Sequence, residues 1–232
     1  MNDTATDHQS TIAHRDVIER LWTEPVFERC RDYFPQGDGG NVLVAESRCG
    51  YVPMKWIELL PEDTRIMALD SSSAMLDAAR QRLGEKLQRH IFFVQQRVGD
   101  LAYADGVFQA AICCNGLVTA RQVEEGLSEL VRVTVTGGGV AVCIPVSTSF
   151  PEFYDLLDEA MRVNNMGEAL HRIDELRNTL SSPARVFDIT QRLHLFEIEV
   201  RELTWDVAFT SGRDFLHSPL IQESFFPHWL GS

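Results

Sequence analysis

A Rossmann-like α/β domain, with a mostly parallel seven-stranded sheet, helices on both faces and an antiparallel last strand, is predicted by three observations. Residues Asn41 to Leu83 read as apolar run, tight turn, helix, apolar run ending at Asp70, and second helix, the opening half of a nucleotide-type α/β domain. The same alternation continues to Val146, which favours parallel strands joined by right-handed crossovers. After Pro151 the pattern turns helical, and Glu197 to Leu203 and Trp205 to Thr210 then alternate as two last strands, paired antiparallel at the end of the sheet.

Each element has a local reason. Residues 15–34 place Val17, Ile18, Leu21 and Trp22 on one helical face before Pro35 breaks the pattern. Gln36 to Gly40 is a turn, and Val42 to Ala45 is an apolar run of the kind covered on both faces. Trp56, Ile57, Leu59 and Leu60 fit a helix stopped by Pro61, and Arg65 to Leu69 is the second strand. Ser72 suits the N-cap of a helix whose Leu76, Ala79 and Leu83 share a face. Ile91 to Val94 and Ala110 to Cys114 are the third and fourth strands, with Ala104-Asp105-Gly106 as turn chemistry between them. Val123, Leu127, Leu130 and Val131 mark a helix at 122–134 that is expected to stop at Gly137-Gly138-Gly139, before a fifth strand from Val140 to Val146.

Residues 152–163 and 167–180 read as two amphipathic helices, the second with Ala169, Ile173, Leu176 and Leu180 in one stripe. This insertion is expected to sit over the strand carboxyl ends, where ligands bind in such folds. The organisation is therefore a flexible tail at 1–14 and a single domain at 15–232, with a helical lid at about 151–190.

Bulk properties exclude some functions. The 232 residues are 44% hydrophobic, and 34 acidic against 21 basic side chains give a net charge of −13. Such a surface repels phosphate backbones and anionic membranes, so no nucleic-acid partner is expected. No apolar run reaches the roughly 18 residues of a membrane span, and the polar N-terminus lacks a signal-peptide core. The expected location is the cytoplasm. The five cysteines, Cys30, Cys49, Cys113, Cys114 and Cys143, show no paired metal spacing and read as free thiols in a reducing compartment. Cys113 and Cys114 are neighbours in a strand and are expected to face opposite ways.

Five segments together resemble the class I S-adenosylmethionine-dependent methyltransferase family over residues 40–146. Val42 to Gly50 is similar to the family's first motif, an acidic residue followed by G-x-G-x-G. Asp70, at the end of the second strand, matches the acid that binds the ribose hydroxyls. ALDSSSAMLDAAR, DLAYADGVFQ and LSELVRVTVTGGGVAV resemble the family's later segments, in order and spacing.

The departures cluster at the expected cofactor pocket. Val44 stands at the first acidic position, and Glu46 and Arg48 stand at the first two glycines, leaving Gly50. Glycine serves there because it tolerates φ > 0 and lets a ligand approach the backbone. Arg97 falls where the family places an acid that accepts from the adenine amino group, and a guanidinium has only donors. Gln109 replaces the Asp that often starts the fourth strand. Cofactor contacts implied by the resemblance are thus Glu46, Arg48, Gly50, Asp70 and Arg97, with no metal and no catalytic residue identified. Arg48 reads either as a clamp for an anion or, more commonly for such a residue, as a solvated loop arginine. His171, His194 and Tyr51 are weaker candidates for ligand contact. The aromatic tail Phe225, Phe226 and Trp229 reads as a core cap or a docking surface for a protein partner.

Two functions follow. The favoured expectation is a degenerate methyltransferase-like domain, without catalysis and with no cofactor, serving as a protein-interaction, scaffolding or regulatory module with a protein partner. The alternative is an active S-adenosylmethionine-dependent methyltransferase on a small molecule. Self-association is left open.

Overall fold

The computed structural model describes residues 14–37, 39–167, 175, 177–225 and 227. Among them the chain runs from a π-helical segment, His14–Thr23, into α1 (Glu24–Cys30), β1 (Asn41–Ala45), α2 (Tyr51–Trp56), β2 (Arg65–Asp70) and α3 (Ser73–Arg82). It continues through β3 (Ile91–Gln95), β4 (Phe108–Cys113), α4 (Ala120–Val133) and β5 (Thr134–Val142). Helices described in full beyond β5 include α5 (Pro151–Val163), α6 (Pro183–Arg192), α7 (Gly212–His217) and α8 (Pro219–Ser224).

The sheet order is β3-β2-β1-β4-β5, and every pairing is parallel. The chain reverses its winding between β1 and β4, which makes the carboxyl ends of those strands the natural ligand crevice. Strand alternation divides the core in two. Leu43, Ala45, Ala111 and Cys113 face Val123, Leu127 and Leu130 of α4. Val42, Val44, Ile112 and Cys114 face Val26 and Phe27 of α1 and Trp56 of α2. Cys113 and Cys114 thus lie on opposite faces, as strand geometry requires. The expected cap of α3 is present, with Ser72 Oγ accepting from the Met75 N–H. Thr119 and Gln122 form a capping box at the start of α4.

The sheet has five strands rather than seven, all parallel, without an antiparallel last strand among the described residues. Residues 205–210 alternate in exposure while 199–204 are all exposed, and neither stretch pairs with a strand. They are fastened instead by side chains: Trp205 packs on Trp22 at 5.0 Å and donates Nε1–H to Leu21 O at 3.4 Å. Alternating hydrophobicity records a half-buried extended segment and carries no information on whether a partner edge is present.

The fifth strand also starts earlier than expected. Helix α4 ends at Val133, and Gly137, Gly138 and Gly139 belong to β5. A Cβ on Gly138 would lie 2.6 Å from Gln109 O, and one on Gly139 would overlap Pro35. These glycines serve close backbone approach beside an irregular β4–β5 register. The stripe Ala169, Ile173 and Leu176, with His171, lies outside the described residues. Helix α6 packs Val186 and Ile189 into the α4 face of the core. No described helix is long and apolar enough to cross a membrane.

Candidate functional site

A cavity of about 610 Å³ opens at the carboxyl ends of β1, β2, β3 and β4. Its polar wall includes Glu46, Arg48 and Ser71 and, across from them, Arg97, Asp100 and Asn115. Its apolar wall comes from the ends of the chain, through Ile18, Trp22 and Phe225, together with Leu117, Val118 and Pro145. None of the described residues of 151–192 lines it. The N-terminal segment and α8, rather than the expected helical insertion, flank the cavity. A fork from Arg82 to both Glu19 oxygens and to Cys49 O ties that segment to the turn after β1.

The turn itself keeps a glycine conformation without the glycines. Glu46 and Arg48 both have φ of 50°, and Gly50 has φ of 84°. Left-handed backbone costs about 1–2 kcal/mol for a residue with a Cβ, so this geometry is imposed by its surroundings. Asp70 imposes much of it. This fully buried carboxylate accepts the Arg48 N–H at Oδ2 and the Ser72 N–H at Oδ1, each at 2.9 Å. Ser47 N–H adds a bond to Leu69 O at 2.8 Å, and Gly50 N–H one to Ser47 O at 2.9 Å. Gly50 is required by space as well as by φ, since a Cβ there would lie 2.9 Å from Met54 Cε and 3.0 Å from Ala79 Cβ.

Arg48 does not behave as a solvated loop arginine. Its Nη2 is 3.7 Å from Glu46 Oε2 and its Nε 3.9 Å from Asp70 Oδ2. Glu46 is 8% exposed. Burial pushes its carboxyl up from the ordinary 4.5 to about 7, against the pull of Arg48, Arg97 and a hydrogen bond from the Val98 backbone. Gly116 makes room for it, because a Cβ there would lie 2.6 Å from Glu46 Cγ.

Of the sequence-predicted site residues, Glu46, Arg48, Asp70 and Gly50 are brought together at one turn, and Arg97 faces it across the cavity. His194 is exposed beyond α6 and does not line the cavity. Tyr51 packs edge-on against Phe27 at 5.9 Å and does not line it either. Phe225 lines it, while Phe226 and Trp229 lie outside the described residues. Cys143 lines the cavity too. Its hydrogen bond to Cys114 holds the thiol protonated, which is poor preparation for a nucleophile.

Two buried polar groups escaped the sequence reading. Ser47 Oγ and Asn115 Nδ2 are buried without a hydrogen-bond partner. Asn115 lines the cavity, whereas Ser47 does not. The signal for Asn115 is the Asn115-Gly116 pair directly after the fourth apolar run.

The sheet order, the left-handed turn after β1 and the cavity at the switch point define an α/β domain whose cavity lies where such folds seat their ligands. Residues 49–138 match the profile of a methyltransferase domain family. Over these residues the chain resembles S-adenosylmethionine-dependent methyltransferase domains. Its relatives include a demethylmenaquinone methyltransferase of Bacteroides fragilis, 22% identical over 203 residues that cover 82% of this chain and 80% of the relative. A demethylmenaquinone methyltransferase of Thermobifida fusca is 33% identical over 79 residues, 34% of each chain. Among solved structures, a geranyl diphosphate methyltransferase in complex with S-adenosylmethionine superposes with a TM-score of 0.54 at 14% identity, covering 75% of this chain and 65% of that one. At that identity the likeness is one of fold.

These relatives overturn the expectation of a degenerate, non-catalytic scaffold and of no cofactor. Proteins similar over four fifths of this chain are named as methyltransferases, and the cofactor to which they point is S-adenosylmethionine. The physical reason is on the turn. Glu46 and Arg48 replace glycine side chains without replacing the glycine conformation.

Proposed function

We propose that this protein is an S-adenosylmethionine-dependent methyltransferase acting on a small molecule, with the cofactor held in the cavity at the β1–β4 switch point. The observation that carries this reading is the retained left-handed turn at 46, 48 and 50 beside that cavity. The donor set fits the group. Glu46 offers a carboxylate to an ammonium, and Arg48 and Arg97 offer guanidinium donors to a carboxylate. A charge pair on the turn thus matches the zwitterionic end of an amino acid, in place of the acid lost at Val44. Asp70 holds the turn through two backbone N–H groups, and each of its oxygens keeps a second lone pair.

When bound, S-adenosylmethionine supplies an electrophilic methyl group on a sulfonium centre. The protein's part is then to bind, orient and exclude water. Methyl transfer of this kind relies on in-line positioning. The apolar flank from Ile18, Trp22 and Phe225 is suited to shelter the acceptor from solvent.

The test is thermal unfolding with S-adenosylhomocysteine, followed by methyl transfer from labelled S-adenosylmethionine. Demethylmenaquinone, the compound in the relatives' name, is the first acceptor to try. A ligand at a hundred times its Kd adds about 2.7 kcal/mol of stability, a clear rise in Tm. No rise at millimolar ligand would falsify the proposal.

A further inference from the structure

Three of the five cysteines meet at one corner of the cavity. Cys114 follows the last residue of β4, Cys143 follows the last residue of β5, and Cys30 ends α1. The β4–β5 register pairs Cys113 with Val142, and the Cys143 N–H bonds Cys113 O at 2.8 Å. Cys114 and Cys143 therefore stand opposite each other, one step beyond the ladder. In register on parallel strands, their side chains leave the sheet on the same face, in the cluster that holds Val26 and Phe27 of α1. Both line the cavity. Cys114 is buried, whereas Cys143 is partly exposed. Neighbouring strands run about 4.8 Å apart, within the span of about 4.4–6.8 Å between the Cα atoms of a disulfide. The thiols are already in contact: Cys30 S–H donates to Cys143 Sγ, and Cys143 S–H donates to Cys114 Sγ.

We infer that Cys114 and Cys143 form a redox modification site, a dithiol in the cavity wall that a peroxide converts reversibly to a disulfide. Neither cofactor binding nor methyl transfer as proposed above uses these thiols, so the inference stands apart from that reading. Peroxide enters by the cavity, where Cys143 is the reachable sulfur of the pair. The Cys143 thiolate attacks one peroxide oxygen, the O–O bond breaks, and the departing hydroxide takes up the thiol proton as water. The Cys114 sulfur then attacks the sulfur of the Cys143 sulfenic acid, the S–O bond breaks, and a second water leaves with the Cys114 proton. Two thiols lose two electrons, and one peroxide is reduced to two waters. The bond to Cys114 keeps Cys143 protonated at rest, so traces of oxidant leave the pair reduced and sustained peroxide closes it. Cys30 is the positioning residue, because the bond it donates favours the Cys143 anion. The disulfide ties the carboxyl ends of β4 and β5 together beside Asn115 and Gly116 of the cavity wall.

The test is peptide mapping of the full chain by mass spectrometry. The reduced protein is treated with millimolar hydrogen peroxide, and the remaining thiols are alkylated after unfolding. The expected product links Cys114 to Cys143, leaves Cys30, Cys49 and Cys113 alkylated, and is reversed by dithiothreitol. Cys114→Ser is expected to stop at a Cys143 sulfenic acid that dimedone traps, and Cys143→Ser to give neither a link nor a dimedone adduct at Cys114. Cys30→Ala is expected to form the same link severalfold more slowly, and Cys30→Ser, which keeps a donor, to restore the rate. A wild type without a link, a link from Cys143 to Cys30 instead, or a dimedone adduct at Cys114 in Cys143→Ser overturns the inference. Cys30→Ala reacting as fast as the wild type removes the role of Cys30. The first readout is taken on the wild type, so a variant that fails to fold leaves the test intact. No methyl donor or S-adenosylhomocysteine is present, so a failed link and a failed methyltransferase reading are told apart.

Discussion

The parallel sheet and the segments that flank its cavity are built on different principles. In the sheet, β1, β2 and β4 are buried on both faces, and one core runs from α1 and α2 through the strands to α4. The flank is a satellite cluster in which Ile18 meets Tyr154, Leu220, Ile221 and Phe225. It is joined to the sheet by single fastenings such as Thr23 to Asn115 and Arg82 to Glu19. Elements with few buried contacts open at lower free energy than the core. The sheet fixes the turn after β1, and the flank is the part that opens at lower free energy.

The largest effect is expected in the sheet. Leu43 is fully buried on the central strand, and Leu43→Ala should cost about 3–5 kcal/mol, measured by urea unfolding. A loss below about 1 kcal/mol would remove the rigid half of the contrast.

Glu46 gives a pH-dependent effect of similar size. The folded chain holds its proton more tightly than the unfolded chain, so its contribution is neutral below about 4.5 and unfavourable from about 7 upward. The charged form should therefore cost about 3 kcal/mol at pH 8. Glu46→Gln is expected to stabilise at pH 8 and to match the wild type near pH 4.5. Parallel stability curves for the two proteins across that range would show that the buried charge is compensated.

Arg132 staples the loop below the cavity to α4, donating to Leu101 O at 3.0 Å and Tyr103 O at 2.8 Å while pairing with Glu129 and Asp105. Arg132→Ala should cost about 1–2 kcal/mol and speed proteolysis in residues 97–107.

The smallest global effect belongs to the flank. Phe225→Ala should accelerate hydrogen exchange in α8 and the π-helical segment while β1 and β4 amides stay protected. Equal acceleration in the strands would mean that flank and sheet unfold as one unit.

The contrast also explains what could be read in advance. The first four strands, the Ser72 cap and the opposed faces of Cys113 and Cys114 follow from local periodicity, because each is decided within about ten residues. The fifth strand was misplaced because Gly137-Gly138-Gly139 carries the same signal for a helix stop as for two backbones pressed together. The strands expected at 197–203 and 205–210 do not form because alternation within a segment does not say whether the segment reaches the open edge of the sheet at β5.

The site divides in the same way. The sequence by itself determined the turn, its place after β1, and the residues Glu46, Arg48, Asp70 and Arg97 around it. Only the tertiary structure decided that Glu46 and Arg48 keep a glycine's backbone, because Asp70, 22 residues beyond Arg48, fixes the turn from the neighbouring strand. Only it joined Asn115 to Thr23, 92 residues away, because a buried amide's partners depend on which distant groups pack around it. Local pattern reports what a residue prefers, whereas the partners left for it are set by the fold.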